Sequence, residues 1–199
     1  MCWMTVRADA DPLPRAVADA REHEPANGHS WGWALARDGE LVTDRGVGRF
    51  PDDELPVGEA ALAHTRAATV GEITEANAHP FEVRRGGEPV AALAHNGTWY
   101  EAPDLPGWSD SRAMAAVLEG ALAERPDADF ADALRALGEL TGETLAALHR
   151  SGEAYVYSGR YDITAGGAAA ASSGLARDLE EGLHGVANPS TERPSRGRP

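Results

Sequence analysis

Hydrophobic positions along the chain recur at two spacings, two residues and three to four residues, and the alternation between them lays out the elements. Residues 2–6 form a short apolar run ending in Thr5 and Val6, a strand pattern. Asp11-Pro12 opens a helix through about residue 23, with Pro12 suited to its first turn. Asn27-Gly28 reads as a turn, residues 30–36 as a strand, Asp38-Gly39 as a two-residue hairpin turn and residues 40–44 as the partner strand. Residues 52–56 are acidic and loop-like, and residues 60–65 form a strand that delivers Arg66 at its end. From 67 to 89, Gly71, Asn77, Pro80 and Gly86-Gly87 interrupt any period, so that stretch reads as irregular.

The second half is more regular. Residues 90–94 are a buried strand candidate leading into His95-Asn96-Gly97. Ser109-Asp110-Ser111 caps a helix over 112–124, whose apolar stripe is Ala113, Ala116, Val117 and Leu118. Phe130, Leu134 and Leu137 lie at helical spacing in a second helix over 130–140. Residues 144–149, the turn Ser151-Gly152 and residues 154–158 form a hairpin; 168–172 reads as a further strand, and Ser173 as the cap of a short helix to about 182. One domain over 2–187 is expected, with 188–199, rich in Pro, Ser, Arg and Gly, as a disordered tail. Strand runs with a helix pair between them indicate an α+β fold with sheets packed under helices.

Composition narrows the partners. At 199 residues and 42% hydrophobic, the chain is long enough for one domain with a substantial core. Acidic residues outnumber basic ones by 32 to 18, for a net charge of −14, and every basic residue is arginine. Such a surface repels phosphate backbones and anionic membranes, so neither nucleic acid nor membrane is expected as a partner. Acidic excess without lysine is the composition of a protein working in high salt, where self-repulsion is screened. No signal-peptide pattern and no apolar run of about 20 residues is present, so a cytoplasmic location is expected.

The single cysteine, Cys2, cannot form an intramolecular disulfide. Removal of Met1 would make it the N-terminus, joining a thiol to an α-amine of pKa about 8. Nucleophile and base then share one residue, an arrangement that other enzymes assemble from two. Read alone, Cys2 is equally a small buried hydrophobe.

Three further stretches stand beside it: His64-Thr65-Arg66-Ala67-Ala68-Thr69-Val70-Gly71 followed by Asn77-Ala78-His79-Pro80-Phe81; His95-Asn96-Gly97; and Ser109-Asp110-Ser111. Taken singly, Arg66 reads as half of a surface ion pair, Asn96-Gly97 as a turn dipeptide and Asp110 as a helix cap. His64, His79 and His95 are too widely spaced for the usual zinc pattern and read as supporting or core histidines, so no metal site is expected. In this order, however, the pieces resemble the glutaminase domain of the class II, N-terminal-nucleophile glutamine amidotransferases, most of all their small stand-alone branch. Ser30-Trp31-Gly32-Trp33-Ala34 and Tyr155-Val156-Tyr157 fit the same branch.

The resemblance implies the four-layer αββα sandwich of N-terminal nucleophile hydrolases, with Cys2 on the edge of one sheet facing a cleft. It implies catalytic roles for Cys2 and for Asn96 and Gly97 as an oxyanion hole. Arg66, Thr69, His95 and Asp110 would bind substrate, Arg66 clamping a carboxylate and Asp110 taking an ammonium. The implied reaction is hydrolysis of the glutamine side-chain amide without metal or organic cofactor, with ammonia passing to a separate synthase subunit. An amidohydrolase acting on a γ-glutamyl conjugate would use the same residues, and a non-catalytic glutamine-binding module is the third alternative. Trp3 stands where many members carry Gly, and Ala67, Val70 and Arg112 also depart from the common pattern.

Overall fold

Side-chain size and strand parity together decide how the layers meet. The structure, a computed structural model, describes residues 2–158, 161–165 and 169–172, with side chains through Tyr157. One sheet contains β1 (Trp3–Arg7), β2 (Ser30–Arg37), β3 (Glu40–Val47), β4 (Ala60–Arg66) and β10 (Ala169–Ser172), in the order β10-β1-β4-β2-β3. The other contains β5 (Phe81–Arg85), β6 (Glu88–Asn96), β7 (Thr144–His149), β8 (Ala154–Ser158) and β9 (Tyr161–Ala165), in sequential order. All neighbouring strands in both are antiparallel. Helix α1 (Pro12–Asn27) covers the outer face of the first sheet, and α2 (Asp110–Glu124) and α3 (Phe130–Thr141) cover the second. This is the α+β, four-layer αββα arrangement expected above.

Alternation sorts each strand's side chains between two cores. Trp3, Trp31, Trp33, Leu35, Ala61 and Ala63 face α1, where they meet Leu13, Ala16, Val17 and Ala20. Their even-numbered neighbours face the opposite sheet: Met4, Val6, Ala34, Ala36 and Leu62 pack on Ala92, Ala94, Ala146 and Leu148. That inner layer is mostly alanine, with three large side chains (Met4, Leu62 and Leu148) filling it. Bulkier residues sit outside, where Phe81, Leu93, Leu145, Tyr155 and Tyr157 meet Met114, Leu118, Leu122 and Leu134.

Several predicted boundaries shift. The stretch 67–89, read as irregular, contains β5 and the start of β6; Gly86 and Gly87, both at positive φ, are the turn between them rather than a break. Helix α1 runs on to Asn27, past residue 23 and through Pro25, and β3 continues to Val47. On α2, Ala116 and Val117 are exposed, and the buried stripe is instead Ala113, Met114, Leu118 and Leu122, i,i+4 spacing carried from Met114. Strand β9 had no counterpart in the sequence reading. Strand β1 is not a sheet edge, because β4 and β10 flank it. Cys2 lies at its N-terminal end instead. The helix predicted after Ser173 and the predicted tail at 188–199 lie outside the described residues.

Two local signals performed as their chemistry requires. Asp38 and Gly39 both have positive φ (52° and 78°), the pair of left-handed residues that a two-residue hairpin needs to match strand twist. Gly32, in the middle of β2, lets another backbone approach: a Cβ there would lie 2.0 Å from the His79 carbonyl oxygen and 2.7 Å from the Arg45 Cβ. Neither obstacle can rotate away. Gly32→Ala is therefore expected to lower stability by about 3 kcal/mol, read as a shift of the urea midpoint at unchanged slope.

Candidate active site

Parity also builds the site. Cys2, one residue before β1, belongs with Met4 and Val6 on the inner side of the first sheet. Arg66, at the end of β4, belongs with Leu62 and His64 on the same side. Asn96, at the end of β6, continues the inner series Ala92 and Ala94 of the second sheet. Three strand ends thus meet where the inner layer opens to solvent. There a pocket of about 230 Å³ is walled on one side by Cys2, Ala67 and Thr69, and on the other by Asn96, Gly97 and Thr98. Tyr100 and Glu143 complete its lining.

Cys2 is nearly buried, and its Sγ lies 3.8 Å from the Ala67 carbonyl oxygen. Burial raises the thiol pKa above its ordinary value, and the Asp110 charge adds to that rise while Arg66 opposes it. The neighbouring Trp3 stacks on His23 of α1 at 3.5 Å between ring centroids, 5° from parallel. This contact anchors the strand that carries Cys2. A flat apolar contact of that size gives Trp3 a packing role where glycine would give none.

Arg66 is buried but does not line the pocket. Its guanidinium donates to the carbonyls of Val70 (2.5 Å) and Glu72 (3.4 Å), so it holds the loop that bears Ala67 and Thr69. No carboxylate within ion-pairing distance of it is found among the described residues. The same loop is tied down from behind by Asn77, fully buried, whose amide donates to the carbonyls of Glu72 (3.1 Å) and Gly107 (2.9 Å). Its carbonyl accepts from the Ser109 N–H (3.0 Å). Gly71, at φ 77°, packs so close that a Cβ would come within 2.8 Å of the Ser109 Cα. Across the pocket, the Thr69 and Thr98 hydroxyls meet at 3.1 Å.

Ser109 is the cap of α2, its Oγ accepting from the Arg112 N–H, so Asp110 is free of that task. The Asp110 carboxylate accepts instead from the N–H groups of Trp99 (3.0 Å) and Ser111 (2.9 Å) and from the Ser111 hydroxyl (3.4 Å). It thereby fixes the chain just after Gly97. His95 Nδ1 pairs with Ser111 Oγ at 2.9 Å and lies 4.0 Å from Asp110. Of the residues singled out from sequence, Cys2, Thr69, Asn96 and Gly97 therefore line the pocket; Arg66, His95 and Asp110 stand behind its walls.

Sequence reading passed over Glu143. It follows the C-terminal Gly142 of α3 and sits in no motif. The cue lies in strand register: Asn96 pairs with Thr144, which sets Glu143 opposite Gly97. The two are in contact, since a Cβ on Gly97 would fall 1.7 Å from Glu143 Oε2. With φ at 140°, Gly97 is also in a conformation that side chains disfavour. Gly97→Ala is expected to fold, because the clash is at a strand end, but to abolish the pocket geometry; loss of covalent Cys2 labelling with native circular dichroism would show this.

Behind the site, His64 and His79 lie 4.0 Å apart between ring centroids, tilted by 33°, in full burial. Among the described residues, no group of three or more metal-ligating side chains is arranged to hold an ion. Burial lowers both pKa values, His64 to about 3 and His79 well below its ordinary value. Unfolded, each ring titrates near pH 6.5. Their stabilising contribution is thus complete above that pH and is lost as pH falls toward the folded values, at roughly 1 kcal/mol per pH unit for each ring. Urea midpoints should fall between pH 7 and pH 4, with a shallower slope in His64→Gln.

No protein-family model matches the chain. In sequence it is similar to the glutamine–fructose-6-phosphate aminotransferase (isomerizing) of Halobacterium salinarum, 35% identical over 101 residues, or 49% of this chain and 16% of that protein. The protein of the same name from Streptomyces coelicolor is 34% identical over 140 residues, covering 60% of this chain and 22% of its own length. The chain thus spans about a fifth of the length of the curated relatives it matches. In fold it resembles the allosteric regulatory enzyme of purine biosynthesis, with a TM-score of 0.63 at 17% identity over 78% of this chain and 37% of the other. It also resembles the glutamine phosphoribosylpyrophosphate amidotransferase of B. subtilis, with a TM-score of 0.60 at 18% identity over 78% and 36%. With two facing antiparallel sheets and Cys2 at the head of β1, the chain shares the fold of these two solved enzymes.

Proposed function

We propose that this chain is a glutaminase that opens the side-chain amide of glutamine through a Cys2 thioester and releases ammonia. The observation that carries this reading is the convergence of Cys2, Asn96 and Gly97 on one pocket from opposite sheets. Removal of Met1 frees the α-amine of Cys2. That amine takes the thiol proton, and Sγ attacks the amide carbon. The charge that develops on the amide oxygen is met by the Asn96 side-chain NH₂ and the Gly97 N–H, donors of the kind that stabilise a tetrahedral oxyanion. The α-ammonium returns its proton to the leaving nitrogen, ammonia departs, and a water deprotonated by the same amine hydrolyses the γ-glutamyl thioester. Thr69 and the loop held by Arg66 face the donor's non-reacting end, while Asp110 and His95 fix the wall behind Gly97.

The released ammonia passes to a synthase acceptor. Both sequence relatives are named for transfer to a sugar phosphate and match this chain over only a small part of their length. The surface charge of −14 with arginine as the only basic side chain supports work in a salt-rich cytoplasm, as does the Halobacterium relative. A second reading, hydrolysis of a γ-glutamyl conjugate, is favoured by Tyr100, which lines the pocket while 89% exposed and offers a flat surface to a leaving group larger than ammonia.

Intact-mass analysis in high salt, before and after a diazo-ketone glutamine analogue, tests the nucleophile. A mass lacking Met1 and one adduct on Cys2 are expected; retained Met1 without adduct overturns the reading. Cys2→Ala should lose about 10³-fold or more of ammonia release, and Asn96→Ala about 10²–10³-fold in kcat.

A further inference from the structure

Next to the Asn77 clamp, with Ala76 and Trp108 in its lining, lies a second hollow of about 330 Å³. Arginines from three elements open on it: Arg45 of β3, Arg84 of β5 and Arg112 of α2. We propose that this hollow binds a small organic phosphate, a phosphomonoester dianion held between Arg45 and Arg112. The inference goes beyond the glutaminase reading and does not depend on it.

The three guanidiniums are not equivalent. Arg84 is committed to protein, pairing with Glu82 and donating to the Gly87 carbonyl. Arg45 and Arg112 have no carboxylate within ion-pairing distance among the described residues, on a chain of net charge −14. Arg112 also occupies the first turn of α2, where the helix dipole disfavours a cation. Its guanidinium lies over the Trp108 ring, 4.1 Å from the centroid, and donates to no described residue. Arg45 lies 5.7 Å from the Phe81 ring centroid and spends one nitrogen, Nη1, on the carbonyls of Pro80 (3.0 Å) and Ala78 (3.4 Å). Aromatic faces and backbone thus hold both forks in place while most of their donors stay unclaimed.

Two carboxylates share the hollow, and both are occupied. Glu82 takes Arg84 and the Thr43 hydroxyl (3.1 Å), and Glu119 accepts from the Arg84 N–H (2.8 Å). With three cations against two anions, the lining keeps a positive balance. Arginine forks match phosphate geometry, and a phosphomonoester carries close to two negative charges at neutral pH, one for each unclaimed guanidinium. A lone carboxylate would satisfy only one of them. Phe81, Ala115 and Ala116 supply apolar lining for the organic body, and the volume suits a small metabolite.

The test is calorimetric titration of the full chain with phenyl phosphate at constant ionic strength, beside inorganic phosphate and the monoanion benzoate. One saturable site is expected, with phenyl phosphate about 10-fold or more tighter than benzoate and tighter than inorganic phosphate. Arg112→Gln should weaken phenyl phosphate by about 10-fold or more, the loss of a hydrogen-bonded charge. Arg125→Gln, which removes the same charge from an exposed position outside the hollow, should leave the affinity within about 2-fold. Glu119→Gln, which lifts a competing charge and keeps the oxygen that Arg84 N–H needs, should tighten binding about 3-fold. Circular dichroism confirms that each variant folds. No saturable binding of any probe, or equal losses in Arg112→Gln and Arg125→Gln, overturns the site. Benzoate binding as tightly as phenyl phosphate overturns selection of a dianion, and inorganic phosphate binding as tightly overturns the organic part of the assignment.

Discussion

One buried amide holds the site together. Asn77 makes three hydrogen bonds with backbone that is far apart in sequence: Glu72, Gly107 and Ser109. An amide that is buried with its donors and acceptor satisfied contributes modestly in net terms, but removing it strands three backbone groups, each costing on the order of 1–3 kcal/mol. The loop after β4 and the entrance to α2 are therefore positioned against each other rather than independently. Ala67 and Thr69 on one side, and Asp110 with the Trp99 N–H it holds on the other, inherit their spacing from that joint. Arg66 reinforces it through the carbonyls of Val70 and Glu72.

The inner layer explains why strand ends, rather than loops alone, bring Cys2 and Asn96 to one pocket. Alanines at positions such as 34, 36, 92, 94 and 146 let two sheets meet with few protruding side chains. Small residues on both faces leave little freedom for one sheet to shift over the other without opening voids. Cys2 and Asn96 sit where this close contact ends. Their separation is set by sheet packing, which is stiffer than any turn. The overall charge of the protein and the local charge at Cys2 then act on different scales. A net −14 is spread over the surface and screened by salt within a Debye length. Arg66 and Asp110, buried next to one another's field and to Cys2, are screened much less.

Periodicity made much of this legible. The β2–β3 hairpin was readable because Asp38-Gly39 is a turn pair in its own right, and α3 because Phe130, Leu134 and Leu137 mark one face without ambiguity. The Asn-Ala-His-Pro-Phe stretch carries a resemblance in sequence, and in the fold it is a backbone clamp followed by a strand. Strand β5 is hidden in the sequence because Gly86-Gly87 looks like a break and is a hairpin turn. The α2 stripe was misplaced by including Val117, because the face of a helix depends on which sheet it covers, and Phe81 and Leu93 select Met114 over Val117. Arg66 reads from sequence as a surface ion pair or a carboxylate clamp, yet its partners in the structure are carbonyls four and six residues onward, where no side-chain pattern could announce them. Glu143 was invisible for a similar reason: its neighbour, Gly97, is given by register across β6 and β7.

The turn at Asp38–Gly39 has a practical bearing on handling the protein. If Cys2 acts through a freed α-amine, as proposed above, the N-terminus is closed to purification tags, fluorophores or surface attachment. At the tip of the β2–β3 hairpin the Asp38 side chain is exposed, and no atom lies within 4 Å of where a Gly39 side chain would begin. Strand β3 is the outermost of its sheet, on the side away from β1. An inserted epitope or dye-bearing peptide there would extend from a rigid ribbon into solvent, giving a handle that leaves the working end of the molecule untouched.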